Sequence, residues 1–507
     1  MRSLTKSCLS LVIGLLAHIA CSSQTNTALE KARLKKTNYE VVFPMNEYLT
    51  TTNDTVPYPV LNKETLKKIN TSSFTSIMDY GAKGDGLQAD DNAIIKAFEA
   101  CKDDGGVLFP KNKTFLIQNL IRIPLNKNIT VSAYGATFKM APKTGYNAIA
   151  FEGRDTGYNN QVIWLGGTFD GNKDYQAWPG SPTKDNNWTV TKGNYGLLTI
   201  RRAKFALVKD IVLTNTVYDG VNLFECELGV IADSKAYNGV ELTYGHIRSQ
   251  FGTGHQSTYF KCTRRNSQAV YFLNLDCKGG SIGVQYSTNK VSDSSLAVVN
   301  NCHFYNQTQD ALHFESCRKI FIYQSTVGSD NSKKYHADVH ISNSCEIASV
   351  KNCEFRNAKI DFRNASKLQL GAVEYCQFGS VQSNNDSVIL RTFIHNASYV
   401  GNCTFKGKTQ EEQAKVKCVE NSSFTDFVVA VNAINLIYKC QFNNGEVAVE
   451  NAMKPLIKDC EFNNVKRYPS LDVSNKNFVD DTTLKSLLSK SISVVDNRKN
   501  FLGFVTR

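Results

Sequence analysis

A short alternation of apolar and polar residues returns seven times in the C-terminal half of the chain. It reads Asn301-Cys302-His303-Phe304, Asn352-Cys353-Glu354-Phe355, Tyr375-Cys376-Gln377-Phe378, Asn402-Cys403-Thr404-Phe405, Asn421-Ser422-Ser423-Phe424, Lys439-Cys440-Gln441-Phe442 and Asp459-Cys460-Glu461-Phe462. From Cys353 onward the Cys or Ser positions are 23, 27, 19, 18 and 20 residues apart, about one turn of a chain coiled into parallel strands. The 51 residues from Cys302 to Cys353 then hold two coils. Within Ile347-Ala348-Ser349-Val350-Lys351-Asn352-Cys353-Glu354-Phe355 the period is two, with a bend between Ser349 and Asn352. Asparagine tolerates a left-handed backbone and bonds its own main chain, so Asn301, Asn352, Asn402 and Asn421 suit that bend. The units are rich in Val, Ile, Phe and Asn and no 3.6-residue period is sustained, which disfavours helical repeats. The pattern predicts an all-β chain, a single-stranded right-handed parallel β-helix.

A second strand pattern supplies a register. Gly220-Val221-Asn222-Leu223, Gly239-Val240-Glu241-Leu242, Gly283-Val284-Gln285-Tyr286, Ala311-Leu312-His313-Phe314, Asp338-Val339-His340-Ile341 and Lys359-Ile360-Asp361-Phe362 each place one polar residue between two apolar ones. With the apolar residues inward, Asn222, Glu241, Gln285, His313, His340 and Asp361 form one outward row. Two residues on, Thr243, Ser287, Glu315, Ser342 and Arg363 form a second. Coils lie about 4.8 Å apart, so His313, His340 and Asp361 form a ladder. Tyr271 fits an intervening coil only awkwardly, because Val270 and Val284 are 14 residues apart.

Nearer the N-terminus, Asp90 or Asp91 can cap a helix whose Ala93, Ile94, Ala97, Phe98 and Cys101 form one apolar stripe. Such a helix would close the open end of the solenoid, where core and strand edges are otherwise exposed. The segment from Ile77-Met78-Asp79-Tyr80-Gly81-Ala82-Lys83-Gly84-Asp85-Gly86 through Asp90-Asp91-Asn92-Ala93-Ile94 to Gly105-Gly106-Val107-Leu108-Phe109-Pro110 resembles the opening of the pectate-lyase-like superfamily. Gly166-Gly167-Thr168-Phe169-Asp170-Gly171-Asn172 is similar to a strand and turn of its polygalacturonase-like members. The resemblance implies the β-helix fold and action on polysaccharide. It does not fix the reaction, since the scaffold hosts hydrolases, lyases, epimerases and binding proteins. The Asp-Asp and Arg-Ile-Lys motifs of polygalacturonases are absent, and only Asp219, in Tyr218-Asp219-Gly220, matches in part.

The first twenty residues, with Arg2 and Lys6 before an apolar run from Leu9 to Ala20, read as an export signal. Ala20-Cys21-Ser22-Ser23 resembles the end of a bacterial lipoprotein signal, which would give membrane anchoring through a lipid on Cys21; His18 stands where such signals carry Leu. The expected division is a signal over 1–20, a tether over 21–72, the β-helix over 73–470 and a C-terminal cap or tail over 471–507. Fifteen cysteines in an exported chain suggest disulfides. The repeat argues against them, because Ser422 replaces Cys in one copy, which suits packing and not a fixed partner. No zinc spacing occurs, and calcium stays open.

A formal charge of +12 favours polyanions. No nucleic-acid-binding motif is present, so the expected partner is an acidic polysaccharide, uronate or sulfated, bound by a monomer. The catalytic candidates are His313, His340, Glu315, Asp361 and Glu241. Arg363, Lys359, Asn222, Gln285 and Asp219 are the substrate-binding candidates, and aromatic residues Trp178, Trp188 and Tyr195 could stack on sugar rings or pin their own loop. Two carboxylates suit glycoside hydrolysis, while histidines with Arg363 and Lys359 suit β-elimination at a uronate. Hydrolysis is placed ahead of elimination, and a non-catalytic glycan-binding solenoid is the remaining alternative.

Overall fold

The computed structural model describes residues 70–142, 148–154, 160–176, 196–217, 219–241, 258–264, 269–288, 295–330, 335–362, 365–368, 370–379, 394–395, 397, 399–406, 416–426, 428–430, 434–448, 456–458 and 460–467. Among them the strands form three parallel sheets, A, B and C, of fifteen, sixteen and ten strands. One coil shows the plan: Leu296–Asn300 lies in A, His303–Tyr305 in B and Asp310–Glu315 in C, and Lys319–Tyr323 returns to A beside its starting strand. Parallel crossovers are right-handed. The chain is thus a right-handed parallel β-helix, and its coils lie in one compact unit, Ser73–Ser486. The expected signal, the lipidation site Cys21, nearly all of the tether and the C-terminal tail lie outside the described residues.

The repeat works through the bend from A to B. Asn301, Asn352, Asn402 and Asn421 have φ of 54°, 54°, 53° and 45°, and Tyr375 and Lys439 take the same left-handed conformation at 52° and 51°. Amide side chains link neighbouring bends: Asn301 Nδ2 donates to Asn274 Oδ1 at 2.9 Å, and Asn274 Nδ2 to Asp233 Oδ1 at 2.7 Å. The next residue is the Cys or Ser position. Cys376 and Cys403 each donate Sγ–H to the carbonyl two residues earlier at 3.2 Å, and Ser325 and Ser422 donate Oγ–H to the equivalent carbonyl at 2.7 and 2.9 Å. That shared bond makes Cys and Ser interchangeable. Ser325 also supplies the missing copy between Cys302 and Cys353. Eleven cysteines of the described residues, among them Cys302, Cys353, Cys376, Cys403, Cys440 and Cys460 of the repeat, are not joined in disulfides.

Two residues further, the Phe side chains point inward and stack. Rings of Phe355, Phe378, Phe405, Phe424, Phe442 and Phe462 follow one another at centroid distances of 4.6 to 4.9 Å, within 10° of parallel. Sheet A departs from simple alternation: Leu207, Val230, Tyr271, Val298 and Phe321 face away from the core and are nevertheless buried. Burial on both faces explains its near-continuous apolar strands. Tyr271 belongs to this row. The 14-residue spacing that made it awkward separates an A strand from the C strand of the same coil, with Val270 in A and Val284 in C.

At the N-terminal end, α1 (Asp91–Ala100) buries Ala93, Ile94, Ala97 and Phe98 against the first coils. Phe98 meets Phe151 edge-on at 5.4 Å, extending an aromatic plug of Phe109, Phe138 and Trp164. Asp90 holds the N-cap position without capping the helix through its side chain. Its buried carboxylate accepts the N–H groups of Lys83, Gly84 and Leu116 instead, while Asp91 accepts those of Gln118 and Asn119. The two aspartates therefore bind the glycine turn and the second coil to the cap, which an apolar stripe alone could not specify.

Candidate functional site

Sheet C carries the outward row. Its register pairs Asn222 with Lys261, Lys261 with Gln285, Gln285 with His313, His313 with His340, His340 with Asp361, and Asp361 with His395. Five of the six expected residues thus share one row. Glu241 does not. It follows Val240 in the turn after the B strand Lys235–Tyr237, and the C strand of that coil is Thr258–Arg264, whose row position is Lys261. Gly239-Val240 imitates a strand opening because Val240 is a buried turn residue whose N–H bonds Thr216 O. Arg363, Thr243, Trp178, Trp188, Tyr195 and His255 lie outside the described residues.

The row is a covered floor: Asn222, Gln285, His313 and Asp361 are 0, 5, 5 and 3% exposed. Toward the N-terminal side, the Asp219 carboxylate accepts the Thr258 N–H at 3.3 Å and Thr258 Oγ1 donates to Gln285 Oε1 at 3.1 Å. Asp219 and Asn222 stand three coils from His313, roughly 14 Å. The titratable groups converge further on.

His313 and His340 are stacked, ring centroids 4.9 Å apart and 12° from parallel. His313 Nδ1 lies 2.7 Å from Asp310 Oδ2 and its Nε2 3.1 Å from Glu315 Oε1. Facing a carboxylate oxygen at both nitrogens, the ring is satisfied only when both carry protons. Burial pulls its pKa down, but the hydrogen bonds to Asp310 and Glu315 outweigh it and raise the value to about 9. His340 moves the other way: burial lowers its pKa, and the charge on His313 adds to this against the pull of Asp310, Asp361 and Glu315. At neutral pH one ring of the stack is a cation and the other is neutral.

Lys359 completes the cluster. Its Nζ is 3.8 Å from Asp338 Oδ2 and 4.0 Å from Asp361 Oδ2, and its backbone N–H donates to Asp338 Oδ1 at 3.1 Å. Those two distances place the carboxylate oxygens within about 8 Å of each other, the scale on which glycosidases space their acid and base. Asp310 and Asp338, both buried, are register partners on adjacent coils. Neither was singled out from the sequence. The available signal was an Asp opening three of the C strands, in Asp219-Gly220-Val221-Asn222, Asp310-Ala311-Leu312-His313 and Asp338-Val339-His340. A register shift between Asp310 and Leu312 accounts for the one-residue difference in spacing and hid the series. The carboxylate pairing absent as adjacent residues is thus present across coils. Among the described residues no three His, Cys, Asp or Glu side chains converge in a metal-holding group.

No family model matches the chain. A polygalacturonase of Persea americana is 25% identical over 256 residues, covering 46% of this chain and 53% of that protein. The plasmin and fibronectin-binding protein A of Streptococcus pneumoniae (strain ATCC BAA-255 / R6) is 24% identical over 308 residues, 54% of this chain and 42% of its own. The chain therefore spans about half the length of the curated relatives it matches. Among solved structures, the surface adhesin PfbA of Streptococcus pneumoniae superposes over 78% of this chain and 92% of its own, at 13% identity and a TM-score of 0.46. The family 28 exopolygalacturonase of Yersinia enterocolitica does so over 78% and 79%, at 11% identity and a TM-score of 0.38. No residue role is carried over from either. Coil topology makes this a parallel β-helix, and its N-terminal motifs and the polygalacturonase relative are a likeness to pectate-lyase-like and polygalacturonase-like chains.

Proposed function

We propose that the chain is an exported enzyme that hydrolyses the glycosidic bonds of an acidic polysaccharide on the outer face of sheet C, around His340. The carrying observation is the charge of the cluster. Asp310, Glu315, Asp338 and Asp361 stand against two cations, His313 and Lys359. A surface made only to hold a polyanion would not gather four carboxylates at its floor, because like charges repel the ligand. Acid and base catalysis at a glycosidic oxygen gives carboxylates a task. Asp338 and Asp361, bridged by Lys359, are the pair proposed to serve as acid and base. The Lys359 ammonium orients the substrate's anionic groups, the imidazolium of His313 holds Asp310 and Glu315 in place, and neutral His340 accepts a hydrogen bond from a sugar hydroxyl. A net charge of +12 draws a polyanion toward the chain.

A second reading rests on His340 alone. A neutral imidazole beside two cations is what β-elimination needs, a base for the C5 proton of a uronate whose carboxylate is neutralised. A panel of polygalacturonate, alginate and sulfated galactans, assayed for reducing ends and for ultraviolet-absorbing unsaturated ends, decides between them. Reducing ends alone support hydrolysis. Unsaturated ends support elimination, and neither product supports a binding solenoid.

A further inference from the structure

We infer that the outer face of sheet B carries a second, non-catalytic binding track for an anionic polysaccharide, running along the solenoid axis. The observation is the residue content of one outward row. One row pairs Tyr237 with Lys278, Lys278 with Tyr305, Tyr305 with Gly328, Gly328 with Arg356, Arg356 with Gly379, and Gly379 with Lys406. Over seven successive coils it holds two tyrosines, three cations and two glycines, and no acid. The row two residues earlier mixes signs, with Lys235 and His303 beside Asp276 and Glu354.

The row is accessible and chemically suited to a sugar chain. Tyr237 is 45% exposed and the Arg356 side chain 59%, and Lys278 and Lys406 are exposed. Tyr237 and Tyr305 flank Lys278 one coil to each side, so two rings that can stack on sugar faces bracket a cation that can meet a carboxylate or sulfate. Their spacing repeats every coil, about 4.8 Å, close to the length of one sugar residue in an extended chain. Beyond Arg356 the track opens at Gly379, where a Cβ would meet nothing within 4 Å. That leaves a notch between the Arg356 and Lys406 side chains. Two neighbouring acids are already engaged, Glu354 with Arg356 Nε at 2.5 Å and Asp330 with the Tyr305 hydroxyl. The first anchors the Arg356 guanidinium, and the second fixes the ring. The track spans roughly 29 Å from Tyr237 to Lys406, enough for about six sugar residues.

The ligand class is taken from the function proposed above, but the site lies on a different sheet and its test does not depend on turnover. Migration of the full chain is measured in native gels containing polygalacturonate, a sulfated galactan or neutral galactan. The comparison is with a Tyr237→Ala, Lys278→Ala, Arg356→Ala triple variant, and with Asp361→Asn to remove cleavage. Wild type and Asp361→Asn should be retarded by the acidic polymers and not by the neutral one. The triple variant should lose at least fivefold in apparent polymer affinity while keeping its melting temperature and its rate on short acidic oligosaccharides. Equal affinity of triple variant and wild type, or no retardation of wild type by either acidic polymer, would overturn the track. Retardation of a wild type that releases no reducing ends from either acidic polymer would overturn only the catalytic reading.

Discussion

His313 gives the structure its most quantitative solution signature. Its folded pKa of about 9 exceeds the ordinary value of 6.5, so protonation favours the folded state. The difference corresponds to on the order of 3 kcal/mol, at 1.36 kcal/mol for each pK unit. Because the folded value is the higher one, this contribution is complete below about pH 6.5 and is lost as pH rises through 9. Replacing the ring by Asn at position 313 keeps a polar side chain between Asp310 and Glu315 and removes the titration. Urea unfolding of wild type and His313→Asn at pH 6 and pH 10 isolates the effect, since other titrating groups cancel in the difference. Relative to its value at pH 6, the stability of wild type over the variant should fall by about 3 kcal/mol at pH 10. A difference independent of pH would refute the two-carboxylate clamp. His340, with its lowered pKa, acts in the opposite sense and costs stability as acid forces a second charge into the stack.

The remaining expectations concern the scaffold. Phe405→Ala removes one ring from the middle of the stack and should cost about 3 to 5 kcal/mol in denaturant unfolding; wild-type stability would mean the inward register is wrong. Cys403→Ser should cost less than about 1 kcal/mol, because Ser422 makes the same hydroxyl-to-carbonyl bond one coil away, whereas Cys403→Leu should cost about 1 to 3 kcal/mol by overpacking. Asp90→Ala strips the partner from three backbone N–H groups and should lower stability by on the order of 3 kcal/mol, an effect absent at the exposed Asp85.

The coil itself was legible because its repeat is local: one left-handed residue, one small thiol or hydroxyl, one inward ring, each set by neighbours in sequence. The row on sheet C was legible wherever the strand followed its turn at once, as at Gln285, His313, His340 and Asp361. It was misread at Glu241, where residues 242–257 intervene between turn and strand, so the row position passed to Lys261. Asp310 and Asp338 escaped notice for a different reason. Aspartate at a strand opening also suits a turn, and the register shift that aligns the two is a property of pairing between coils. The opposite charge states of the two histidines were not readable at all. They depend on which carboxylates reach which ring nitrogens, and sequence spacing does not carry that distance.

Hydrolysis by Asp338 and Asp361 is the central claim, and the initial rate of reducing-end release from an acidic polysaccharide cut by the wild type tests it most directly. Asp338→Asn and Asp361→Asn preserve shape and remove the two carboxylates in turn. Each should lower the rate by about 10² to 10⁴ while leaving the melting temperature near that of the wild type. Rates within a few-fold of wild type in both variants would contradict the account.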